Sequence, residues 1–390
     1  MKSLSLESLL RKETRMTLGL MSGTSADGLD IAYCEVNAHK RSLKNLASAT
    51  ISYPVPLQET VLKIARDASV NLSELIGLSY YLGHFYADAI EQFCREHDLP
   101  TDKIDLIGSH GQTIAHLSMP IQFLDRKVCG TLQIGEAEVI AKRLGAVTIS
   151  DFRSGDIAVG GSGAPLAPIY HQAIFAREGE TNVAVNIGGI ANITVLKSNG
   201  ECVASDTGPG NCLLDTVVRQ RTGKHFDADG ALASSGAIDA KLLDELLRAE
   251  IFQRRLPVSH DRGEVLRILE YQTVASQLAN LDTQSALATL SEMTALSIKH
   301  ATEHLLDGAR ATSVIVCGGG AHNRFLMSRL RHHCEGVKVE SADAFSSNVD
   351  FVEAEAFAYL ANLTLNSQTG NLAQVTGASR TAILGKISMP

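Results

Sequence analysis

The chain has no long run of Lys or Arg, no Cys-x-x-Cys pair and no apolar stretch that approaches the length of a membrane span. Each absence removes a class of function. With 35 basic against 43 acidic residues the formal net charge is −8, which argues against a nucleic-acid-binding surface and leaves small molecules as the expected partners. The cysteines (Cys34, Cys94, Cys129, Cys202, Cys212, Cys317 and Cys334) are odd in number and scattered. They suit reduced thiols in a cytoplasmic protein better than a disulfide framework or a zinc site. Residues 1–15 mix charged side chains with short leucine runs and lack the continuous apolar core of a secretion signal, so they are read as an extension or a short surface helix. No membrane partner is expected.

What is present is a repeated α/β pattern. At 390 residues the chain is long for one core, and two domains are the default expectation. Leu18, Leu20 and Met21 lead into a turn, and Leu29, Ile31 and Tyr33 leave it in period two, the pattern of a hairpin. Residues 42–54 read as a third strand. A helix follows, capped by Asn71 with Glu74 three residues on, and Leu75, Leu78, Leu82, Phe85, Ala89 and Phe93 form its apolar face. Residues 105–109 then read as a buried strand delivering a polar loop, His110-Gly-Gln-Thr113. The order recurs: a glycine-turn hairpin at 183–196, a strand ending near 204–211, a long helix at 285–306 stopping near Gly308, and a strand at 313–317 running into Gly318-Gly-Gly320. Two such units describe a duplicated α/β fold with nucleotide between the lobes.

The turns carry the chemistry. Between the first two strands lie Gly23, Thr24, Ser25, Asp27 and Gly28. Glycines let backbone N–H groups approach an anion, hydroxyls donate to phosphate oxygens, and a carboxylate can hold hydrated magnesium; an ordinary hairpin turn uses the same residue types. Asp206, at a strand end before Thr207-Gly-Pro-Gly-Asn211, reads either as a carboxylate facing a cleft or as a turn residue satisfying nearby N–H groups. Asp350-Phe-Val-Glu353 reads as a capping box, although a first-turn Glu353 can also reach magnesium or a sugar hydroxyl. Gly318, Gly319 and Gly320 suit either a close approach to adenine or ribose or a tight strand-to-helix turn. His110, Gln112 and Thr113 are suitable partners for sugar hydroxyls.

Taken in order, Gly19-Leu-Met-Ser-Gly-Thr-Ser-Ala-Asp-Gly-Leu-Asp30, Gly108-Ser-His-Gly-Gln-Thr113, Asp151-Phe-Arg153, Gly160-Gly-Ser-Gly-Ala-Pro-Leu166, Asn186-Ile-Gly-Gly-Ile-Ala-Asn192, Asp206-Thr-Gly-Pro-Gly-Asn211, His225-Phe-Asp-Ala-Asp-Gly230 and Cys317-Gly-Gly-Gly-Ala321 resemble the bacterial anhydro-N-acetylmuramic acid kinases. These sit within the larger group of acetate and sugar kinases, heat-shock chaperone ATPases and actin. The resemblance implies a duplicated actin-like (ribonuclease H-like) two-lobed fold with a central cleft. One lobe would span residues 1–135, completed by a segment near 350–390, and the other 136–349. It implies that ATP, with Mg2+, phosphorylates 1,6-anhydro-N-acetylmuramic acid while water opens the anhydro bridge. Asp206 would then be the general base. Gly23, Thr24, Ser25, Ala26, Asp27, Gly28, Leu29 and Asp30 would form the ATP loop, with Gly188, Gly189 and Gly318 to Gly320 as further nucleotide contacts. Asp27 and Glu353 would meet the metal, and Thr113, Glu353 and Asp206 the sugar; lobe closure and a homodimer are also implied.

Two segments depart from the family pattern: Val258-Ser-His-Asp-Arg-Gly-Glu264, which bears on sugar or dimer contacts, and Thr376-Gly-Ala-Ser-Arg-Thr-Ala-Ile-Leu-Gly385, which keeps Arg380 but only part of the usual ending. The rival expectations are a kinase for another anhydro sugar such as levoglucosan, and an actin-like or chaperone-like ATPase that acts on protein partners.

Overall fold

A computed structural model describes residues 6–67 and 69–390. The first unit, residues 1–174 and 346–390, is built on a seven-stranded sheet. Its strands are β1 (Arg15–Ser22), β2 (Gly28–Asn37), β3 (Ser42–Ser52), β4 (Leu106–Phe123), β5 (Arg126–Ile134), β6 (Val147–Ser150) and the C-terminal strand Lys386–Ser388. The path runs C-terminal strand, β6, β4, β1, β2, β3, with β5 hung on β4. β1, β2 and β3 are antiparallel neighbours, whereas β4 lies parallel to both β1 and β6. The second unit, residues 175–345, holds β7 (Asn182–Ile187), β8 (Ile190–Leu196), β9 (Cys202–Pro209), β10 (Ser313–Cys317) and β11 (Lys338–Ser341) in the order β11, β10, β7, β8, β9. Again the first three strands are antiparallel and the remaining pairings are parallel. Five strands of each unit (β6, β4, β1, β2, β3 and β11, β10, β7, β8, β9) share one path and one set of orientations, to which the first unit adds β5 and the C-terminal strand, both antiparallel to their neighbours. With a long helix after the third strand of each unit (Leu72–Glu96 and Thr283–Leu306), this is a duplicated ribonuclease H-like fold.

Both long helices begin on side-chain caps, Asn71 accepting from the Ser73 N–H at 2.8 Å and Asp282 from the Ser285 N–H at 2.6 Å. The second ends at Asp307 and Gly308, both with positive φ. Each unit packs its own core. Leu82, Tyr86, Ile90 and Phe93 of the first helix meet Leu18, Leu20, Ile31 and Ile107 of the sheet. In the second unit Ile298 and Leu305 meet Val183, Val185, Ile193 and Val314.

The other face of the first sheet is covered by the helix Val352–Leu365, which approaches so closely that a β-carbon on Gly19 would lie 1.8 Å from the Ala354 carbonyl oxygen, and one on Gly108 2.2 Å from that of Phe357. A buried carboxylate anchors this helix. Glu355 accepts from Tyr170 and Ser347 hydroxyls at 2.5 Å each, from Asn45 Nδ2 at 2.6 Å and from the Asn348 N–H at 2.7 Å.

Two sequence expectations are corrected and a third, the short N-terminal helix, is met. Residues 136–174 belong with the first unit, because β6 pairs with β4 and with the C-terminal strand, so the boundaries fall at 174/175 and 345/346 rather than at 135/136 and 349. His110 to Thr113 are not a loop: β4, 18 residues in all, continues past a positive-φ Gly111 to Phe123 and pairs with β5. The N-terminal segment includes a short helix, Leu6–Leu10, whose Leu9 is buried and whose end is held by Arg15 Nε at 3.0 Å from the Leu9 carbonyl.

Candidate functional site

In the first unit the turn from β1 to β2 rests on a buried polar chain. The Ser22 hydroxyl lies 2.9 Å from the Gly28 carbonyl and 2.7 Å from Gln112 Oε1, and it accepts from Tyr53, whose hydroxyl meets that of Tyr86 at 2.9 Å. Gln112 Nε2 donates to the Gly23 carbonyl at 3.0 Å. Burial pushes Tyr53 up to about 12 and Tyr86 upward as well, so both stay neutral donors. On this base the N–H groups of Thr24 and Ser25 donate no hydrogen bond among the described residues, which leaves them available to an anion. A β-carbon on Gly23 would meet only Ser25 Oγ, at 3.7 Å, so the fold itself does not require glycine there. Gly28 is different, since its β-carbon would lie 2.8 Å from the Ile51 carbonyl. Ala26 and Leu29 point into the core and can contribute only backbone.

Acidic groups gather beside this loop. Asp30 accepts from Thr50 Oγ1 at 2.6 Å, and its pKa is pushed up to about 6, chiefly by burial and further by the charges of Asp27, Glu353 and Asp350. Glu353 stands in the first turn of Val352–Leu365 but caps nothing: the helix begins at Phe351 without a side-chain cap, which overturns the capping-box reading. Surrounding protein raises the Glu353 pKa, opposed by the charge of Arg153. Arg153 is held by His110 Nε2, 3.0 Å from its Nε, and by the Gly163 carbonyl, 2.8 Å from its Nη1. Burial and the Arg153 charge hold His110 well below its usual range, and its ring packs 4.7 Å from that of Phe357. His110 and Gln112 are therefore bracing groups rather than free partners for a sugar. Thr113 Oγ1 accepts from Gln133 Nε2 at 3.2 Å on the β4–β5 ribbon.

In the second unit the β7–β8 turn mirrors the first. Asn211 and Gly210 donate backbone N–H groups to the Gly188 and Gly189 carbonyls at 2.8 and 3.0 Å. Added β-carbons at Gly188 and Gly189 would meet nothing closer than 3.6 Å. After β10, Gly318 has φ +79 and Gly320 lies against Ile187, where a β-carbon would come within 2.3 Å of Cγ2; only Gly319 is open, with its nearest neighbour 3.9 Å away. Two of the three glycines thus serve the strand-to-helix turn, and the third leaves room for a ligand.

Asp206 lies in β9, opposite Asn192 of β8. Its Oδ2 accepts from the His260 N–H at 2.7 Å and from Ser259 Oγ at 3.4 Å, and its own N–H donates to the Val258 carbonyl at 3.0 Å. Oδ1 has no protein hydrogen bond among the described residues. Burial raises the pKa against these hydrogen bonds. The departing segment Val258–Glu264 therefore holds this carboxylate largely through backbone groups. Sequence reasoning missed Arg153 as a site residue and the Tyr86, Tyr53, Ser22 chain; the Asp151-Phe-Arg153 motif was the available signal for the first.

Paired half-domains of this topology, each with a glycine-bearing hairpin turn, define the actin-like class that includes the sugar kinases. A family model described as "Anhydro-N-acetylmuramic acid kinase" matches residues 15–390. The chain belongs to that family. Curated relatives of this name include proteins from Vibrio vulnificus (37% identity; 94% of this chain and 96% of the relative), Caldanaerobacter subterraneus subsp. tengcongensis (37%; 98% and 98%) and Xanthomonas oryzae pv. oryzae (38%; 96% and 97%).

Proposed function

We propose that the chain opens 1,6-anhydro-N-acetylmuramic acid with water and phosphorylates it from ATP, giving N-acetylmuramic acid 6-phosphate and ADP. The observation that carries the reading beyond family membership is Asp206: one oxygen is fixed by the His260 N–H, the other has no hydrogen bond among the described residues, and burial strengthens the carboxylate as a base. Asp206 takes a proton from water as the water oxygen bonds to the anomeric carbon. The bond from that carbon to the six-position oxygen breaks, and this oxygen takes the γ-phosphoryl group as ADP leaves. The Gly23–Asp30 turn and the open glycines Gly188, Gly189 and Gly319 are the surfaces offered to nucleotide, and Thr113 and Glu353 those offered to the sugar.

Mg2+ keeps several waters and takes one or two carboxylates together with phosphate oxygens. The acidic set Asp27, Asp30 and Glu353 fits that demand, since ionised Asp30 beside like charges is stabilised by a cation. No cluster of three or more ligating side chains is gathered among the described residues, which suits an ion shared with phosphate. When bound, the ion supplies charge neutralisation at the transferring phosphate. The same reading includes a homodimer and a cytoplasmic location; among the described residues no helix is long and apolar enough to cross a membrane.

Mass spectrometry of the product formed in heavy-oxygen water tests the reaction, with levoglucosan run in parallel and anomeric exchange controlled. Heavy oxygen in muramic acid 6-phosphate is the expected outcome; product from levoglucosan alone would move the substrate. Asp206→Asn should lower kcat by roughly 10²–10⁴-fold while calorimetry shows unchanged ATP affinity, and near-normal turnover would remove Asp206 from the base's role.

A further inference from the structure

The second unit contains a cavity of about 340 Å³ whose lining includes none of the residues assigned above to base, nucleotide, sugar or metal. Its floor is apolar, formed by Ile251, Phe252, Leu256 and Ala301, and its edge carries Arg254, Arg255, His300 and His304. No carboxylate lines it, in a chain whose net charge is −8. Arg254 is paired with Glu264, which lies outside the lining, so its charge is partly answered; salt bridges involving Arg255 are absent among the described residues.

His260 forms part of the wall and is more than nine-tenths buried, at 8% exposure. Its Nδ1 makes no hydrogen bond among the described residues, and the nearest carboxylate oxygen, Glu264 Oε2, is 4.0 Å away. A buried ring nitrogen without a hydrogen bond costs desolvation energy that a bound polar group can recover. Through its backbone the same residue donates to Asp206 Oδ2, and Thr207, which also lines the cavity, is the next residue along β9. The cavity wall and the support of Asp206 are therefore one piece of chain.

We propose that this cavity binds a small organic anion with an apolar body, and that its occupancy alters turnover by shifting the His260 backbone against Asp206. The apolar part would fill the floor and the anionic group would meet Arg255, His300 and His304 at the edge. The effect on turnover rests on the assignment of Asp206 as the base, whereas binding does not.

Benzoate is a suitable probe, with benzamide as its neutral counterpart. Histidine ring signals of the full-length protein are followed by NMR, assigned with single His→Gln variants. Benzoate should saturably shift His260, His300 and His304 and benzamide should not; the triple variant R255S/H300Q/H304Q should bind benzoate at least about tenfold more weakly. Absence of saturable shifts, or equal shifts from both compounds, overturns the site. In parallel, sugar phosphorylation is measured with benzoate. A change in kcat that is absent from the triple variant supports the coupling, and saturable binding with constant kcat overturns it. An enzyme inactive on every anhydro sugar tested would count against the assigned reaction, while the NMR result would still decide the site.

Discussion

Asp30 shows how one residue links the folded state to pH. Its pKa rises from an ordinary 3.8 to about 6 in the folded chain, so folding favours its protonated form. That contribution is complete below the unfolded value and disappears as pH climbs through about 6. Thermal unfolding without ligand should therefore show wild type losing stability relative to Asp30→Asn between pH 4 and pH 7, and a constant difference across that range would contradict the cluster. Gly23 supplies a second residue-level test. Because the fold leaves room at this position, Gly23→Val should keep its Tm while losing ATP affinity in calorimetry; equal affinity would remove the turn from the nucleotide site. Local pattern offered Asp206 and Glu353 as candidates, a carboxylate before a glycine turn and one in a first helical turn, although Asp206 lies within β9 rather than at its end. Arg153 was not, since its importance lies in His110 and Glu353, residues 43 positions before it and 200 after it that only the fold brings near. Nor could local sequence show that the next helix takes Phe351, rather than Asp350, as its N-cap.

Among the elements, the helix Val352–Leu365 couples the sheet to the acidic cluster. One turn carries Glu353 toward the site and Glu355 into the buried anchor, so helix position and site geometry are fixed together. Glu355→Ala would strand four donors and should cost about 3 kcal/mol or more in urea unfolding; a loss under 1 kcal/mol would mean that water replaces the carboxylate. Gly19→Ala should be at least as damaging, by roughly 3 kcal/mol, because backbone rather than a movable side chain fills the space. The sequence made Gly19 visible as part of a motif but not as a contact, for its neighbour Ala354 is more than 300 residues away. The strand and helix order was legible through periodicity, whereas the length of β4 was not. Polar residues after Gly111 imitate a loop, and only pairing with β5 extends them into a ribbon.

For the whole molecule, the repeated strand order explains why glycine turns recur in matching positions, and why the duplication could be read before any contact was known. Its boundaries could not be read so directly: β6 is only four residues long and is recruited by strands on either side of it. The second unit is one continuous segment with cores of its own, and residues 175–345 expressed alone should unfold cooperatively by circular dichroism; a non-cooperative melt would show that those cores are insufficient. The first unit is split in the sequence, and the helix over Gly19 and Gly108 and the strand beside β6 come from its later piece. During synthesis, therefore, one face of the sheet formed by β1 to β4 stays uncovered while an entire second unit is made, until the helix Val352–Leu365 has emerged.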